Sequence, residues 1–388
     1  VRHRSRRLAT LTVLVLGVVT ACADQPGLDY GGYSAQPIAA DYDIEPSYHR
    51  GVLTESLRIG ERLAIAEQID PDLSRTRGGG VIVDHRGVDD MLSSSQREAL
   101  APFDVLAGFG AIAGNDQVHD EARLKFLSIA ILALPSEEIA GQAAAAMARA
   151  DFEANIDNAP LPVPEFPAAL NHWRPGVPTV GSWLVWQNMV IRVYAKVIEP
   201  SPEVLSDLLT RTYRAQLAEL AGFTPMPPEQ FTTVRMDPDG LLTRVVSTGE
   251  TTPQHEEFAV YGPRAFALLV DRPSVRLDLL ERHRISAVAV SHNKFLYRAG
   301  SPDAARAYAD ELVAVRDADY TAMPGVPGLP AVRCQRALRP NPSEFEAVRF
   351  SCVVTHGEFV VRLLSNQDTD VRQLAAAQYA LLADGAGA

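Results

Sequence analysis

Cysteine and lysine are both scarce in this chain of 388 residues, with three of each. Three cysteines are an odd count, and no two of them stand at the C-x-x-C spacing of a redox-active dithiol. No uncharged apolar run reaches the roughly 20 residues that a helix needs to cross a bilayer. Motifs that carry a mechanism are missing as well: there is no G-x-S-x-G elbow, H-E-x-x-H zinc helix, P-loop or EF-hand loop. The stretch "GFGAIAG", residues 108–114, imitates a dinucleotide loop but sets its third glycine one residue late, so it reads as close packing. His119-Asp120-Glu121 puts three potential metal ligands side by side, where adjacent side chains point in different directions. No cofactor and no metal is therefore expected. Catalysis has no residue to be assigned to, which favours a non-catalytic role without deciding the question.

Positive charge is also short. The 36 basic residues stand against 48 acidic ones, and residues 1–21 hold four of the arginines and no acid. Without that segment the balance is 32 − 48 = −16. Such a chain is a poor match for nucleic acid or for electrostatic adhesion to anionic lipid, both of which need basic patches.

The N-terminus does carry a signal. Arg2, Arg4, Arg6 and Arg7 precede "LATLTVLVLGVVTA", residues 8–21, which are apolar or small throughout. That length suits the core of a signal peptide. The run ends Val19-Thr20-Ala21-Cys22, which resembles a bacterial lipobox: an aliphatic residue, two small ones, then the cysteine that receives lipid. The alternative is an ordinary secretory signal with an incidental cysteine. In the lipobox reading, residues 1–21 are cleaved and Cys22 carries the acyl chains. The protein is then held at the extracytoplasmic face of the membrane, each buried CH₂ contributing about 0.8 kcal/mol. Residues 22–46, rich in Gly, Pro, Ala and Asp, are expected to be a flexible tether.

With Cys22 assigned to lipid, Cys334 and Cys352 are left to pair. The turn-rich "RPNPSE" lies between them, and strands folding back about Ser343 would bring them nearly opposite. A structural disulfide is favoured over a redox role.

After a predicted helix, "LTESLRIGERLAIAEQI", the chain repeats one plan, β-α-β-β-α. The first copy has the strand "LKFLSIAILALP", a helix opening at Ser136, the strands "AALNHWRP" and "SWLVWQNMVIRVYAKV", and a closing helix from Ser201. The second copy has "NKFLYRAG", a helix opening at Ser301, "LPAVRCQRAL", "VRFSCVVTHGEFVVRLLS" and the closing helix "DTDVRQLAAAQYALLA". Ser-Glu-Glu and Ser-Pro-Asp are good helix starts, and Gln187-Asn188, His292-Asn293 and His356-Gly357 sit where hairpin turns belong. "FTTVRMDPDGLLTRVVS" reads as a further hairpin about Asp239-Gly240.

The expected fold is α+β: two similar modules, each a mostly antiparallel sheet with helices packed on one face. The domains fall at 47–224 and 225–388. Trp173, Trp183, Trp186 and Tyr194 cluster in the first copy's strands, where they form either core or one wall of an apolar or sugar-binding groove.

Several segments resemble an uncharacterised family of actinobacterial lipoproteins, of mycobacterial and nocardial type. They are "LDYGGYSAQP", "ESLRIGERLAIAEQIDPDL", "GPRAFALLVDRP", "KFLYRAGSPDAARAYADEL" and "RFSCVVTHGEFVVRLLSNQDTDVRQLAAAQYALLA". The cysteine pair matches that family's C-terminal pattern. The family is a domain of unknown function, so the resemblance implies an envelope location and a two-part fold, and it assigns no reaction or ligand. The expectation is a lipid-anchored, non-catalytic envelope protein that binds an envelope lipid, a glycan or a protein partner. The alternatives are a secreted envelope hydrolase and an accessory or scaffold subunit of a secretion or cell-wall complex.

Overall fold

A computed structural model describes residues 27–83, 85–117, 119–249, 257–314, 320–341 and 348–384. Cys22, the signal segment and the turn about Ser343 lie outside the described residues.

Three helices come first: α1 (Asp41–Ile44), α2 (Tyr48–Gly60) and α3 (Ala66–Ile69). The first half then runs β1 (Arg75–Val81), α4 (His85–Met91), α5 (Ser94–Leu100), β2 (Ala107–Gly114), β3 (Phe126–Ala133) and α6 (Glu137–Glu153). It ends with β4 (Ala159–Pro160), β5 (Leu170–Trp173), β6 (Thr179–Trp186), β7 (Met189–Lys196) and α7 (Pro202–Leu220). The second half repeats this order. It has β8 (Phe258–Tyr261), α8 (Pro263–Leu268), α9 (Pro273–Arg282), β9 (Ala287–Ser291), β10 (Lys294–Arg298) and α10 (Pro302–Val313). It closes with β11 (Tyr320–Met323), β12 (Val332–Asn341), β13 (Val348–His356), β14 (Phe359–Ser365) and α11 (Asp368–Asp384).

Each half builds one seven-stranded antiparallel sheet, ordered β1-β2-β3-β7-β6-β5-β4 and β8-β9-β10-β14-β13-β12-β11. The two orders are the same when strands are matched in sequence. The expected repeat is thus larger than β-α-β-β-α, because it also includes a helical pair between the first two strands. Ser136, Ser201 and Ser301 each accept the backbone N–H three residues on, so the predicted helix starts stand.

Helices flank both faces of each sheet, one layer more than expected. On β3, Ala130 and Leu132 pack under Ala140, Ala143, Ala144 and Met147 of α6, while Ile129 and Ile131 join the core that includes α2 and α7. In the second half Tyr308 of α10 meets Tyr297 at a ring separation of 5.0 Å, and α11 packs from the opposite face, where Tyr379 meets His356.

Several local expectations change. The predicted long N-terminal helix is two, because the chain turns through residues 61–65. "RTRGGG", which reads as a break after the first helix, is a strand, β1, whose three glycines adopt positive φ. "FTTVRMDPDGLLTRVVS" is no hairpin: Asp237 accepts the N–H groups of Leu241 and Leu242 and folds the segment into a short 3₁₀ turn. The last hairpin turns at Gly357-Glu358, one residue later than read, since His356 pairs with Phe359.

Residues 27–46 have the composition of a tether yet are docked. Tyr33 Oη donates to Asp370 at 2.7 Å, Ile38 N to Val245 O at 3.0 Å, and Ser247 N to Gln36 O at 2.9 Å. Cys334 and Cys352 stand directly opposite on β12 and β13 and form a disulfide, with Cα atoms 4.1 Å apart.

Candidate functional site

The cleft in the first half exists because its inner strands are longer. Matching Ala107–Ala133 to Ala287–Arg298 aligns the two sheets, and β9 and β10 then turn at His292-Asn293. In the first half β2 and β3 continue for three more residues each, through Gly114 and Phe126. Their extra length carries Ile112, Phe126 and Ser128 beyond the end of α6, beside Arg192 and Tyr194 of β7. Those side chains floor a cleft of about 720 Å³, with α4–α5, Asp151 at the end of α6, and His172-Trp173-Arg174 as walls.

Asp151 organises the wall. Its carboxylate accepts from Gln96 Nε2 at 2.8 Å and Ser93 Oγ at 3.4 Å, and it meets His172 Nε2 at 3.1 Å. Burial alone would raise the Asp151 pKa, but the His172 and Gln96 hydrogen bonds and the charge of Arg192 outweigh it, so the carboxyl lies below its ordinary range. His172 stacks on the buried Trp183 ring at 5.5 Å, and the Phe152 ring meets it edge-on.

Arg192 lies at the floor and is only 5% exposed. Its Nη1 reaches Ser128 Oγ at 3.4 Å, and its guanidinium lies over the Tyr194 ring at 5.3 Å. Among the described residues its Nε has no hydrogen-bond partner, and neither do Gln96 Oε1 and Trp183 Nε1 nearby. Desolvation pulls its pKa down to about 10, against the opposing field of Asp151, so it remains a cation at neutral pH.

Ser93, Asp151 and His172 are three residue types of a hydrolytic triad, but their order is wrong for one. In a triad the imidazole stands between hydroxyl and carboxylate, so that it can take the hydroxyl's proton. Here the carboxylate stands between the other two, and Ser93 Oγ also caps α5 by accepting Gln96 N. The arrangement holds a wall in place and, among the described residues, gives Ser93 no imidazole partner.

Of the four aromatic residues read as either core or a groove wall, two line the cleft: Trp173 and Tyr194. Trp183 is 1% exposed and lies in the core under α6. Trp186 falls on the opposite face, in register with Leu184 and Val180, because it is an odd number of residues from Trp183. Among the described residues no group of three or more His, Cys, Asp or Glu could hold a metal. Glu121 of the His-Asp-Glu triplet is instead paired with Lys196.

Arg192, Asp151 and His172 escaped the sequence reading. One signal for Arg192 was present: a lone arginine inside "MVIRVYA", at a sheet position facing the same way as buried apolar neighbours. Asp151 and His172 lie on different elements and left no such mark.

No curated protein matches the chain. The extracellular domain of PknH from Mycobacterium tuberculosis, in its crystal structure, aligns with 14% identity over 47% of this chain and all of its own, at a TM-score of 0.29. Two family models match in tandem: "Domain of unknown function (DUF7373) N-terminal" over residues 42–236 and "Domain of unknown function (DUF7373) C-terminal" over residues 241–385. Between them they take in both sheets and the cleft, and the chain belongs to the DUF7373 family.

Proposed function

We propose that this is a non-catalytic binding protein of the cell envelope, anchored by acyl chains on Cys22, that holds a small and largely apolar ligand in the cleft of its first half. The observation that carries the reading is the cleft. Its volume falls in the range of small-molecule sites, and it combines apolar and aromatic walls with a few converging polar groups. The order of Ser93, Asp151 and His172 supports binding over hydrolysis. The anchor rests on the lipobox-like "VTAC" after a basic start and a short apolar core. None of the described helices is long and apolar enough to cross a membrane.

Mass spectrometry of molecules that co-purify with the acylated protein tests the binding. An apolar molecule is expected in about molar amount with the wild type and should be lost when Ser128→Phe fills the floor. Recovery of no small molecule, or equal recovery with the filled cleft, would refute the reading. The anchor is tested separately: Cys22→Ala should abolish acyl labelling and processing, and a variant that is still lipidated would rule out Cys22 as the site.

A further inference from the structure

The floor of the cleft specifies more than an apolar ligand. Arg192 is a buried guanidinium on a central strand, where an unpaired charge costs several kcal/mol to hold out of water. Among the described residues no carboxylate oxygen lies within 4.0 Å of it: the nearby Asp151 is engaged by Gln96, Ser93 and His172. Among the described residues only one contact of hydrogen-bond length, the long one to Ser128, uses its five donors, and its Nε has none. A guanidinium is built to grip two oxygens of one planar or tetrahedral anion at once.

The surroundings agree with that use. Arg77 and Arg174 are exposed at the cleft's edge, so among the described residues three arginines line it against one carboxylate that has its own donors. This is a local reversal in a chain whose acids outnumber its bases by 12. Such a rim draws an anion towards the opening. Ile112, Leu124, Phe126 and Tyr194 offer apolar surface around the path to the floor.

Resting on the ligand-binding reading above, we propose that the cleft takes an amphiphile with an anionic head, a carboxylate or a phosphate, and that Arg192 seats the head. Gln96 Oε1, whose partner is also missing, lies on the cleft wall and suits a hydroxyl or protonated oxygen on the same ligand. In the second half Arg362 takes the position of Arg192, but there the inner strands stop three residues short and Phe295, Tyr297 and Tyr308 pack on the corresponding face.

The test uses delipidated mature protein and three probes with one chain: palmitate, hexadecyl phosphate and 1-hexadecanol. Each is titrated to displace the neutral dye Nile red. The wild type should bind at least one of the anionic probes about tenfold or more tightly than the alcohol, and which anion wins identifies the head. Arg192→Met should lose that preference while still binding the alcohol and the dye. Replacing a buried charge by an apolar side chain of similar length is commonly neutral or stabilising, so this variant should fold, and an unchanged melting curve checks it. Equal binding of alcohol and acids by the wild type, or an intact preference in Arg192→Met, would overturn the head-group assignment and leave the binding reading standing. Failure to bind the dye and all three probes would overturn both.

Discussion

At the scale of single residues, Asp151 decides how the cleft wall responds to pH. Its pKa is depressed in the folded protein, where Gln96, Ser93 and His172 surround it, relative to the unfolded chain. The sign follows: the folded state binds fewer protons than the unfolded one as pH falls towards the carboxylate range. Its contribution to stability is therefore present at pH values above about 4 and is lost as pH drops through the folded pKa. Asp151→Asn should cost about 1–3 kcal/mol at neutral pH, because the charge-assisted bonds to His172 and Gln96 weaken. It should also flatten the acid limb of a plot of urea-unfolding free energy against pH. An acid limb as steep as the wild type's would place that sensitivity on other carboxylates.

At the scale of elements, the disulfide joins β12 and β13 at directly opposed positions and closes a separation of 18 residues. In the loop-entropy account that contributes about 3 kcal/mol. Cys334→Ala with Cys352→Ala should lower the unfolding free energy by about that amount, and the wild type in reductant should match the variant. Much at this scale was legible. The alternation in "MVIRVYAK", the caps at Ser136 and Ser301, and the left-handed turns at Gln187 and His292 are local features, and local features survive into the fold. The glycines of β2 serve close packing: a Cβ on Gly108 would run into Ile131 O, and Gly110 lies against the end of the Met91 side chain. β1 was hidden for the opposite reason, since three successive glycines resemble a breaker and only pairing with β2 makes them a strand. The cleft was hidden because it depends on a length difference of three residues between two similar sheets, together with side chains from α5, α6, β5 and β7.

At the scale of the whole molecule, the two repeats are not left as separate beads. Gly60 of α2 packs between Phe109 of the first sheet and Ala265 of α8, where a Cβ would come within 2.8 Å of the Phe109 ring. Glu61 Oε1 accepts Ala265 N at 2.6 Å, and Thr76 Oγ1 donates to Val270 O at 2.8 Å. A further tie runs through the segment whose composition suggested a tether. Asp43 is 1% exposed and accepts the N–H groups of Met236 and Asp237 at 2.7 and 3.1 Å, and it pairs with Arg235 and with the equally buried Arg50. Arg50 in turn donates to Val234 O and Glu45 O, and Tyr42 Oη donates to Asp237. Asp43 therefore clamps the N-terminal arm to the stretch that links the two halves. Asp43→Ala removes the acceptor for two buried backbone donors and leaves the Arg50 charge uncompensated, which should cost about 3–5 kcal/mol. Adding Arg50→Met should recover part of that loss, because the stranded charge goes with it. Urea unfolding of the two single variants and the double variant measures the coupling. A loss under about 1 kcal/mol in Asp43→Ala, or no recovery in the double variant, would mean that the arm only lies on the surface and that the two sheets are held together without it.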